Sequence, residues 1–137
     1  MSAKNQVIGM RGVYLVAAEL ARRGFVVSVT SRSAAGADLL VTDERCKRTT
    51  SVQVKTMSTN RWYWLLHKKD LKTSSPTHVY VFVKLGTGDV RDEFFAIQSR
   101  TVIKRMFRER FGKDMWYSIT YDLAKEVSNW KIFGNPV

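Results

Sequence analysis

Cysteine is almost absent from the sequence, and this scarcity excludes several kinds of site. Cys46, between Arg45 and Lys47, is the only cysteine among the 137 residues. The chain therefore has no internal disulfide and no metal site built from cysteine pairs. The two histidines, His67 and His78, show no ligand spacing with each other or with Cys46, and we expect both to be structural. The cytoplasm is the compartment that best fits this composition.

Proline and long apolar runs are also scarce. There are two prolines, and no Pro- or Gly-rich stretch, repeat or low-complexity tract marks a boundary between domains. No apolar run reaches the length of a membrane-spanning helix, and neither a lipidation motif nor a signal peptide is visible. With 45% hydrophobic residues, the chain is long enough for one continuous core. We therefore expect a single domain over residues 1–137 and no membrane partner.

Acidic residues are few compared with basic ones. Twelve Asp and Glu stand against 23 Lys and Arg, which gives a net charge of +11 at pH 7. Such a surplus favours a polyanionic partner more strongly than it favours any fold. An anionic membrane surface is the main competitor, but the sequence has no amphipathic tail with a basic face to bind one. Nucleic acid, and DNA in particular, is the expected partner.

Hydrophobic periodicity predicts an ordered set of helices and strands. Apolar residues of the first segment recur at helical spacing, and Gly24 is expected to end that helix. β-branched and aromatic residues mark the strands, while Ser99 and Gly112 are typical of the two ends of a later helix. The predicted helices cover about 5–23, 100–111 and 122–127, with at most a short helix in 68–76. The predicted strands cover 25–30, 36–41, 51–56, 61–66, 77–85 and 93–98.

The strands predicted over 36–41 and 51–56 carry the most informative residues. A polar turn separates them, so we expect a β-hairpin. Side chains alternate along a strand, so Gln53 and Lys55 share one face while Val52 and Val54 point into a core. Asp38 lies in the neighbouring strand. The hairpin is therefore expected to bring a carboxylate, an amide oxygen and an ammonium together.

These residue types suit metal-assisted cleavage of phosphodiester bonds. A hard divalent cation such as Mg²⁺, or Mn²⁺ in its place, prefers oxygen ligands, which Asp38 and the Gln53 carbonyl could supply. Lys55 could orient or deprotonate a water and offset the charge that builds on the phosphate oxygens, while the metal acts as a Lewis acid. The plainer interpretation is that Asp38 caps a turn and Lys55 lies on the surface of an edge strand.

The stretch Arg11 to Thr56 resembles the PD-(D/E)xK nuclease superfamily, and within it the archaeal Holliday-junction-resolvase and Mrr-type restriction branch and small bacterial endonuclease-like domains. It combines a helix ending at Gly24-Phe25, a following strand, Asp38 and the pair Gln53-x-Lys55. The resemblance implies an α/β (α+β) restriction-endonuclease-like core, a mixed β-sheet of about five strands flanked by helices, in the order αβββ(α)ββα. It also implies that Asp38 and Lys55 serve metal binding and catalysis, and that the chain forms a homodimer, because paired cuts need two sites.

Two positions depart from the pattern of the superfamily. The usual Glu of the second strand is Gln53, which removes a negative charge and should weaken metal binding, although the resemblance implies that Mrr-like members tolerate Gln there. A Glu that is often present in the first helix is replaced by Val13. Glu19 is not expected to substitute for it. This residue lies off the apolar stripe of the helix and is spaced for an exposed ion pair with Arg22 and Arg23.

Two other segments are expected to contact nucleic acid. The loop before Asp38 holds Ser31 and Arg32, which the resemblance places near the scissile phosphate, while an ordinary flexible connection is an equal alternative. The helix predicted over 100–111 has a basic face, for which we slightly favour contact with a phosphate backbone over a merely solvated surface. That face consists of Arg100, Lys104, Arg105, Arg108 and Arg110.

A short aromatic run precedes the polar segment 68–76. Trp62, Tyr63 and Trp64 could stack on unpaired bases, but such a run more often packs against a core edge. We favour packing, because Trp62 and Trp64 are two residues apart and share a strand face.

Two functions of different classes fit the sequence. The first is a Mg²⁺-dependent endonuclease that cleaves DNA, with Asp38, Gln53 and Lys55 as its catalytic residues. The second is a catalytically impaired nuclease-like domain that binds nucleic acid, or regulates a partner, through its basic surface. Net charge alone does not separate them, because both require a cationic surface.

Overall fold

The first helix sets the layout of the molecule. In a computed structural model, which describes residues 3–31, 36–57 and 61–137, helix α1 spans Ala3–Arg22. Its buried side chains Val13, Val16 and Leu20 form the predicted apolar stripe. Gly24 then takes a left-handed φ of 98°, a conformation that favours glycine. The first predicted helix and its end at Gly24 are confirmed.

A five-stranded mixed sheet lies against this helix. Its strands are β1 Val26–Val29, β2 Leu39–Thr42, β3 Thr49–Met57, β5 His78–Lys84 and β6 Glu93–Gln98. They are arranged in the order β1-β2-β3-β5-β6. Only the β3–β5 pair is parallel, and the predicted β2–β3 hairpin is confirmed. In that hairpin Leu39 lies opposite Val52.

α1 covers one face of the sheet and packs closely on β3. Val52 and Val54 point toward α1, as alternation predicts, and belong to the same buried cluster as the helix stripe. A Cβ added to Gly12 would overlap the Thr56 Oγ1, so a side chain at this position would push the helix off the strand. Gly9, one turn earlier in the helix, faces open space instead.

A second layer covers the other face of the sheet. It contains a three-stranded antiparallel sheet with β4 Tyr63–Leu66, β7 Phe107–Phe111 and β8 Asp114–Thr120, in the order β4-β8-β7. It also contains helices α2 Ser99–Arg105 and α3 Tyr121–Val127, while two 3₁₀ helices span Lys68–Lys72 and Trp130–Phe133. The second core joins Tyr80 and Phe82 of the large sheet to Trp64 and Ile119 of the small one.

The helix predicted over 100–111 is wrong in its second half. α2 ends at Arg105, and the following residues form β7, which pairs with β8. Gly112 has a φ of 62° and lies in the two-residue turn of this hairpin rather than at a helix end, because such turns also require positive φ. The N-cap is Gln98 and not Ser99, since the Gln98 side chain accepts a hydrogen bond from the Arg100 N–H at 2.6 Å.

The aromatic run is divided between the core and the surface. Trp64 is 2% exposed, and its indole N–H donates to the Val83 carbonyl at 2.9 Å. Trp62 is 62% exposed and rests edge-on against Tyr121, with 5.2 Å between ring centroids. Core packing is therefore confirmed for Trp64 and wrong for Trp62.

Within the described residues, no helix has both the length and the apolar character needed to cross a bilayer.

Candidate active site

Asp38 lies where the pairing between β2 and β3 ends. Its N–H donates to the Val52 carbonyl at 2.8 Å, and its own carbonyl accepts from the Thr30 N–H at 3.0 Å. The carboxylate Oδ2 accepts from the Val54 N–H at 2.8 Å. The Val54 N–H lies past the end of β2, which begins at Leu39. The Asp38 carboxylate therefore accepts the hydrogen bond that a further backbone carbonyl of β2 would otherwise accept. These bonds fix the Asp38 side chain at the end of the hairpin.

Burial makes the ionised form of Asp38 less favourable than it would be in water. Desolvation raises the pKa of the Asp38 carboxyl, while the hydrogen bond from Val54 and the positive charge of Lys55 oppose that rise. Among the described residues, only one of the two carboxylate oxygens accepts a hydrogen bond. A cation bound to the second oxygen would offset the cost of burying the charge.

Gln53 and Lys55 share the sheet face that points away from α1. Both are partly buried, whereas Val52 and Val54 between them are in the core. Asp38 lies beside β3 at the end of the hairpin, because its carboxylate accepts the Val54 N–H and the positive charge of Lys55 acts on it. The hairpin therefore brings the Asp38 carboxylate next to the strand that carries Gln53 and Lys55.

Lys55 is also held by a carboxylate that sequence analysis missed. Its Nζ lies 3.0 Å from the Oδ2 of Asp70, and the two side chains are only 14% and 10% exposed. The same Oδ2 accepts the His67 N–H at 2.7 Å. The Lys55 ammonium is thus fixed in a largely desolvated ion pair.

The first 3₁₀ helix positions Asp70 above the sheet. The Asp70 carbonyl accepts from the Thr73 N–H at 3.2 Å and from the Tyr80 hydroxyl at 3.3 Å. Tyr80 lies in β5, directly opposite Gln53 in the register. Burial raises the pKa of the Tyr80 hydroxyl to about 12, so the hydroxyl is protonated and can donate at neutral pH. Tyr80 therefore connects the first 3₁₀ helix to the part of the sheet beside Gln53.

A buried histidine completes the polar part of this face. The His78 Nδ1 and the Ser51 hydroxyl are 2.6 Å apart. His78 is 5% exposed, and burial lowers its pKa. Within the described residues, its Nε2 has no hydrogen-bond partner. The burial of His78 agrees with a structural role, whereas His67 is exposed.

The first helix contributes no carboxylate to this face. Val13 is 5% exposed in the core between α1 and the sheet, on the side opposite Lys55. Glu19 accepts hydrogen bonds from Arg22 and Arg23, and the bond to Arg22 is the main reason why its pKa is lowered. The predicted ion pair of Glu19 is therefore confirmed.

The predicted nucleic-acid contacts are distributed over several elements. Ser31 is exposed beside β1, and Arg32 lies outside the described residues. Arg100, Lys104 and Arg105 belong to α2, whereas Arg108 and Arg110 belong to β7. Arg105 pairs with Glu126 at 3.5 Å, and the Arg108 side chain donates to the Ile103 carbonyl at 3.2 Å. The single basic helix face that was predicted is therefore wrong, because β7 is a strand.

The oxygen donors at Asp38 suit a cation that is shared with a substrate. Among the described residues, no group of three or more His, Cys, Asp and Glu side chains could hold a metal ion. Asp38 and Gln53 offer one charged and one neutral oxygen ligand. Mg²⁺ commonly keeps several waters and is bound through one or two carboxylates plus substrate phosphates. Asp38 and Gln53 therefore have the oxygen ligand types that such a cation would use together with water and phosphate oxygens.

Comparison with known proteins identifies the fold. No family model and no curated protein sequence matches the chain. Among solved structures, it is similar to Hjc of Archaeoglobus fulgidus, a Holliday junction resolvase from an archaeal hyperthermophile. The similarity covers 93% of this chain and 96% of that chain, with a TM-score of 0.59 and 12% sequence identity. The chain therefore has the mixed α+β, restriction-endonuclease-like fold that its sequence predicted.

Proposed function

We propose that the protein is a metal-dependent endonuclease that hydrolyses phosphodiester bonds of DNA. The observation that carries this proposal is the position of the Asp38 carboxylate, which accepts the Val54 N–H between Gln53 and Lys55, two residues that share one face of β3. A fold similar to that of a Holliday junction resolvase supports it, and so does the net charge of +11, which favours a polyanionic substrate.

Each side chain of the site has a distinct task in the proposed reaction. Asp38 and Gln53 would hold Mg²⁺ or Mn²⁺ through a carboxylate and an amide oxygen. When bound, the cation supplies Lewis acidity at a phosphate oxygen and makes a bound water more acidic. Asp38 is suited to this task because its backbone and one carboxylate oxygen are already fixed by Thr30, Val52 and Val54, which keeps the site rigid.

Lys55 orients the attacking water and offsets negative charge on the phosphate. An ammonium has three N–H donors, and the contact with Asp70 uses one of them. Among the described residues, no other hydrogen-bond partner of this ammonium is seen, so two N–H groups are proposed to contact water and phosphate oxygens. Asp70 acts as a positioning residue, since its ion pair holds the Lys55 ammonium in one place. Preorganised donors of this kind stabilise charge that develops in the transition state.

A catalytically impaired nuclease-like domain that binds nucleic acid, or regulates a partner, is the second candidate. Two observations favour it. Lys55 is engaged by Asp70, and the described residues contain no group of three or more His, Cys, Asp and Glu side chains that could hold a metal ion. Such a protein would bind DNA through its cationic surface without cleaving it.

Cleavage assays with isosteric variants separate the two candidates. Labelled branched, single-stranded and duplex DNA, and RNA of the same sequence, are incubated with Mg²⁺, Mn²⁺ or a chelator. We compare the wild type with Asp38→Asn and Lys55→Met, and with the exposed controls Asp89→Asn and Lys131→Met. The amide oxygen introduced by Asp38→Asn would still accept the Val54 N–H, so the fold is retained. Metal-dependent cleavage should be lost in Asp38→Asn, fall on the order of 100-fold in Lys55→Met and stay unchanged in the controls.

Two other outcomes would each count against the proposed endonuclease site. DNA binding without cleavage under any metal would support the impaired domain, and cleavage that survives both site variants would contradict the proposed site. The homodimer and the cytoplasmic location remain predictions. The first is tested by sedimentation, where a dimer has twice the 15.7 kDa mass of the chain.

A further inference from the structure

The β7–β8 hairpin extends beyond the core and exposes large aromatic side chains. Every residue of β7 and the first three of β8 are exposed. Phe107, Phe111 and Trp116 are 51%, 56% and 46% exposed. The register pairs Glu109 with Trp116, so alternation places all three aromatic rings on one face of the hairpin. We call Phe107, Phe111 and Trp116 the hairpin aromatic patch.

Two of the three rings of the hairpin aromatic patch contact each other. The rings of Phe111 and Trp116 meet edge-on with 5.6 Å between their centroids and an interplanar angle of 75°. The Phe111 and Trp116 rings stabilise each other in this geometry, yet about half of each side chain stays in water. Exposed apolar groups of this size that contact each other mark a binding surface more often than isolated ones do.

Three cations lie close to the patch. Arg108 and Arg110 lie on β7, the edge strand of the small sheet, on the hairpin face opposite the rings, and Lys113 lies in the turn. Among the described residues, no carboxylate lies within 4 Å of the charged groups of these three side chains. The face with the rings also carries the acids Glu109 and Asp114, so a phosphate backbone would meet the arginines at the exposed edge of β7.

A groove adjoins the patch. It has a volume of about 290 Å³ and lies where β4 ends while β8 continues. His67 and Lys68 contribute to its lining, together with Met115 and Trp116. The His67 N–H donates to Asp70, the partner of Lys55. Trp116 therefore belongs both to the patch and to a groove that shares His67 with the surroundings of the Lys55–Asp70 pair.

Unpaired nucleotides fit this surface better than a second copy of the chain does. The net charge of +11 favours a polyanion at this surface over a second copy of the chain, which carries the same charge. A single nucleic-acid strand offers phosphates to the cations and base faces to the aromatic rings. Base stacking is independent of sequence, because every base has such a face.

We infer that the hairpin aromatic patch and the adjoining groove bind unpaired nucleotides. Bases stack on Phe111 and Trp116, and the phosphate backbone crosses the exposed edge of β7, where Arg108 and Arg110 contact it. The inference rests on the proposed function for the class of partner and deepens it. The favoured substrates are DNA structures with an unpaired segment next to the scissile bond.

The test measures binding in a chelator, so that cleavage plays no part. Fluorescence anisotropy follows a labelled oligo(dT) strand and a blunt duplex of mixed sequence. Trp116→Ala should weaken binding of the single strand about 5-fold or more, and should change duplex binding less than about 2-fold. Trp116→Phe keeps an aromatic face and should retain most of the affinity. Trp62→Ala, at a tryptophan outside the patch that is exposed to an even greater extent, is the control.

Three results would overturn the inference. Trp116→Ala could leave single-strand binding unchanged, or Trp62→Ala could weaken it as much. In the third, the wild type is a dimer that Trp116→Ala makes monomeric without loss of binding, which would assign the patch to self-association. Thermal unfolding checks that each variant is folded, and Trp116→Phe keeps the test informative if Trp116→Ala unfolds. Loss of cleavage alone, with these binding results intact, would contradict only the proposed function.

Discussion

Hydrogen bonds hold Asp38 in place, while burial makes the ionised form of its carboxyl less favourable. Its Oδ2 accepts the Val54 N–H, and desolvation raises the pKa of its carboxyl. A raised pKa in the folded state means that the folded protein binds this proton more tightly than the unfolded chain does. Stability from this group is fully present below the unfolded pKa and is lost as the pH rises through the folded value.

Asp38→Asn should therefore increase thermal stability at pH 7 while it abolishes cleavage. The amide keeps the acceptor for Val54 and removes the buried charge. The melting temperature is measured in a chelator from pH 7 down to about pH 3, where carboxyls become protonated in both states. The stabilisation should shrink as the pH falls. A variant that melts at a lower temperature than the wild type at pH 7 would show that burial is not the main influence on the pKa of Asp38.

We expect the contributions of Lys55 and Asp70 to the free energy of unfolding to depend on each other. Lys55→Met leaves the Asp70 carboxylate without its cation, and Asp70→Asn leaves the ammonium without its anion, so each should cost about 1–3 kcal/mol. In the double variant no buried charge is unpaired. Urea unfolding should then give a coupling energy of about 0.5–3 kcal/mol. Strictly additive effects would show that the pair contributes nothing to stability.

Sequence alone could predict one part of the candidate site and not the other. Strand alternation fixes the shared face of Gln53 and Lys55, and the polar turn predicts the hairpin that brings Asp38 beside them. Asp70 carries one local signal, as the single acid among the lysines of 68–72. Its pairing with Lys55 arises only when the 3₁₀ helix packs over the sheet, and no pattern within either segment indicates that contact.

At the scale of elements, the β7–β8 hairpin shows why the fold was predicted incompletely. The segment 100–111 has helical spacing in its first half, but Phe107, Glu109 and Phe111 alternate with Arg108 and Arg110, as in a strand. Gly112 suits both a helix end and a two-residue turn, since each requires positive φ. The decisive evidence is the pairing with β8, which depends on a partner strand that was not predicted.

Contact between α1 and β3 gives a matched pair of glycine substitutions. Gly9→Ala, in open space, should stabilise the protein by about 0.5–1 kcal/mol, because alanine favours a helix interior over glycine. Gly12→Ala makes a Cβ overlap the Thr56 Oγ1 and should destabilise by about 1–3 kcal/mol. Denaturant unfolding of both variants measures the difference. Equal stabilisation would mean that α1 does not pack directly on β3.

At the scale of the whole molecule, the two faces of the large sheet have different uses. α1 seals one face with an apolar core. The other face is apolar where Phe82 contacts the small sheet and polar where Gln53 and Lys55 lie under the first 3₁₀ helix. The restriction-endonuclease-like order of elements could be predicted, because its strands are strongly periodic. The small sheet could not, since two of its three strands lie in segments whose local pattern favours a helix or an irregular tail.

The net charge of +11 predicts a steep salt dependence of DNA binding. Each phosphate that the protein neutralises contributes about 0.9 to the slope of log affinity against log salt concentration for a duplex. Arg108→Gln and Arg110→Gln should each lower the slope for a single strand by about 0.7. The affinities are measured by anisotropy over a series of salt concentrations. A flat dependence in the wild type would exclude a phosphate-binding surface.

The metal requirement of the candidate site is tested most directly by a titration of cleavage with Mn²⁺ for the wild type, Gln53→Glu and Asp38→Asn. Gln53→Glu adds a second carboxylate beside Asp38, so half-maximal cleavage should require on the order of 10-fold less metal. Asp38→Asn should show no cleavage at any Mn²⁺ concentration. If Asp38→Asn cleaves with the metal dependence of the wild type, Asp38 is no ligand and the site proposed on the β2–β3 hairpin is wrong.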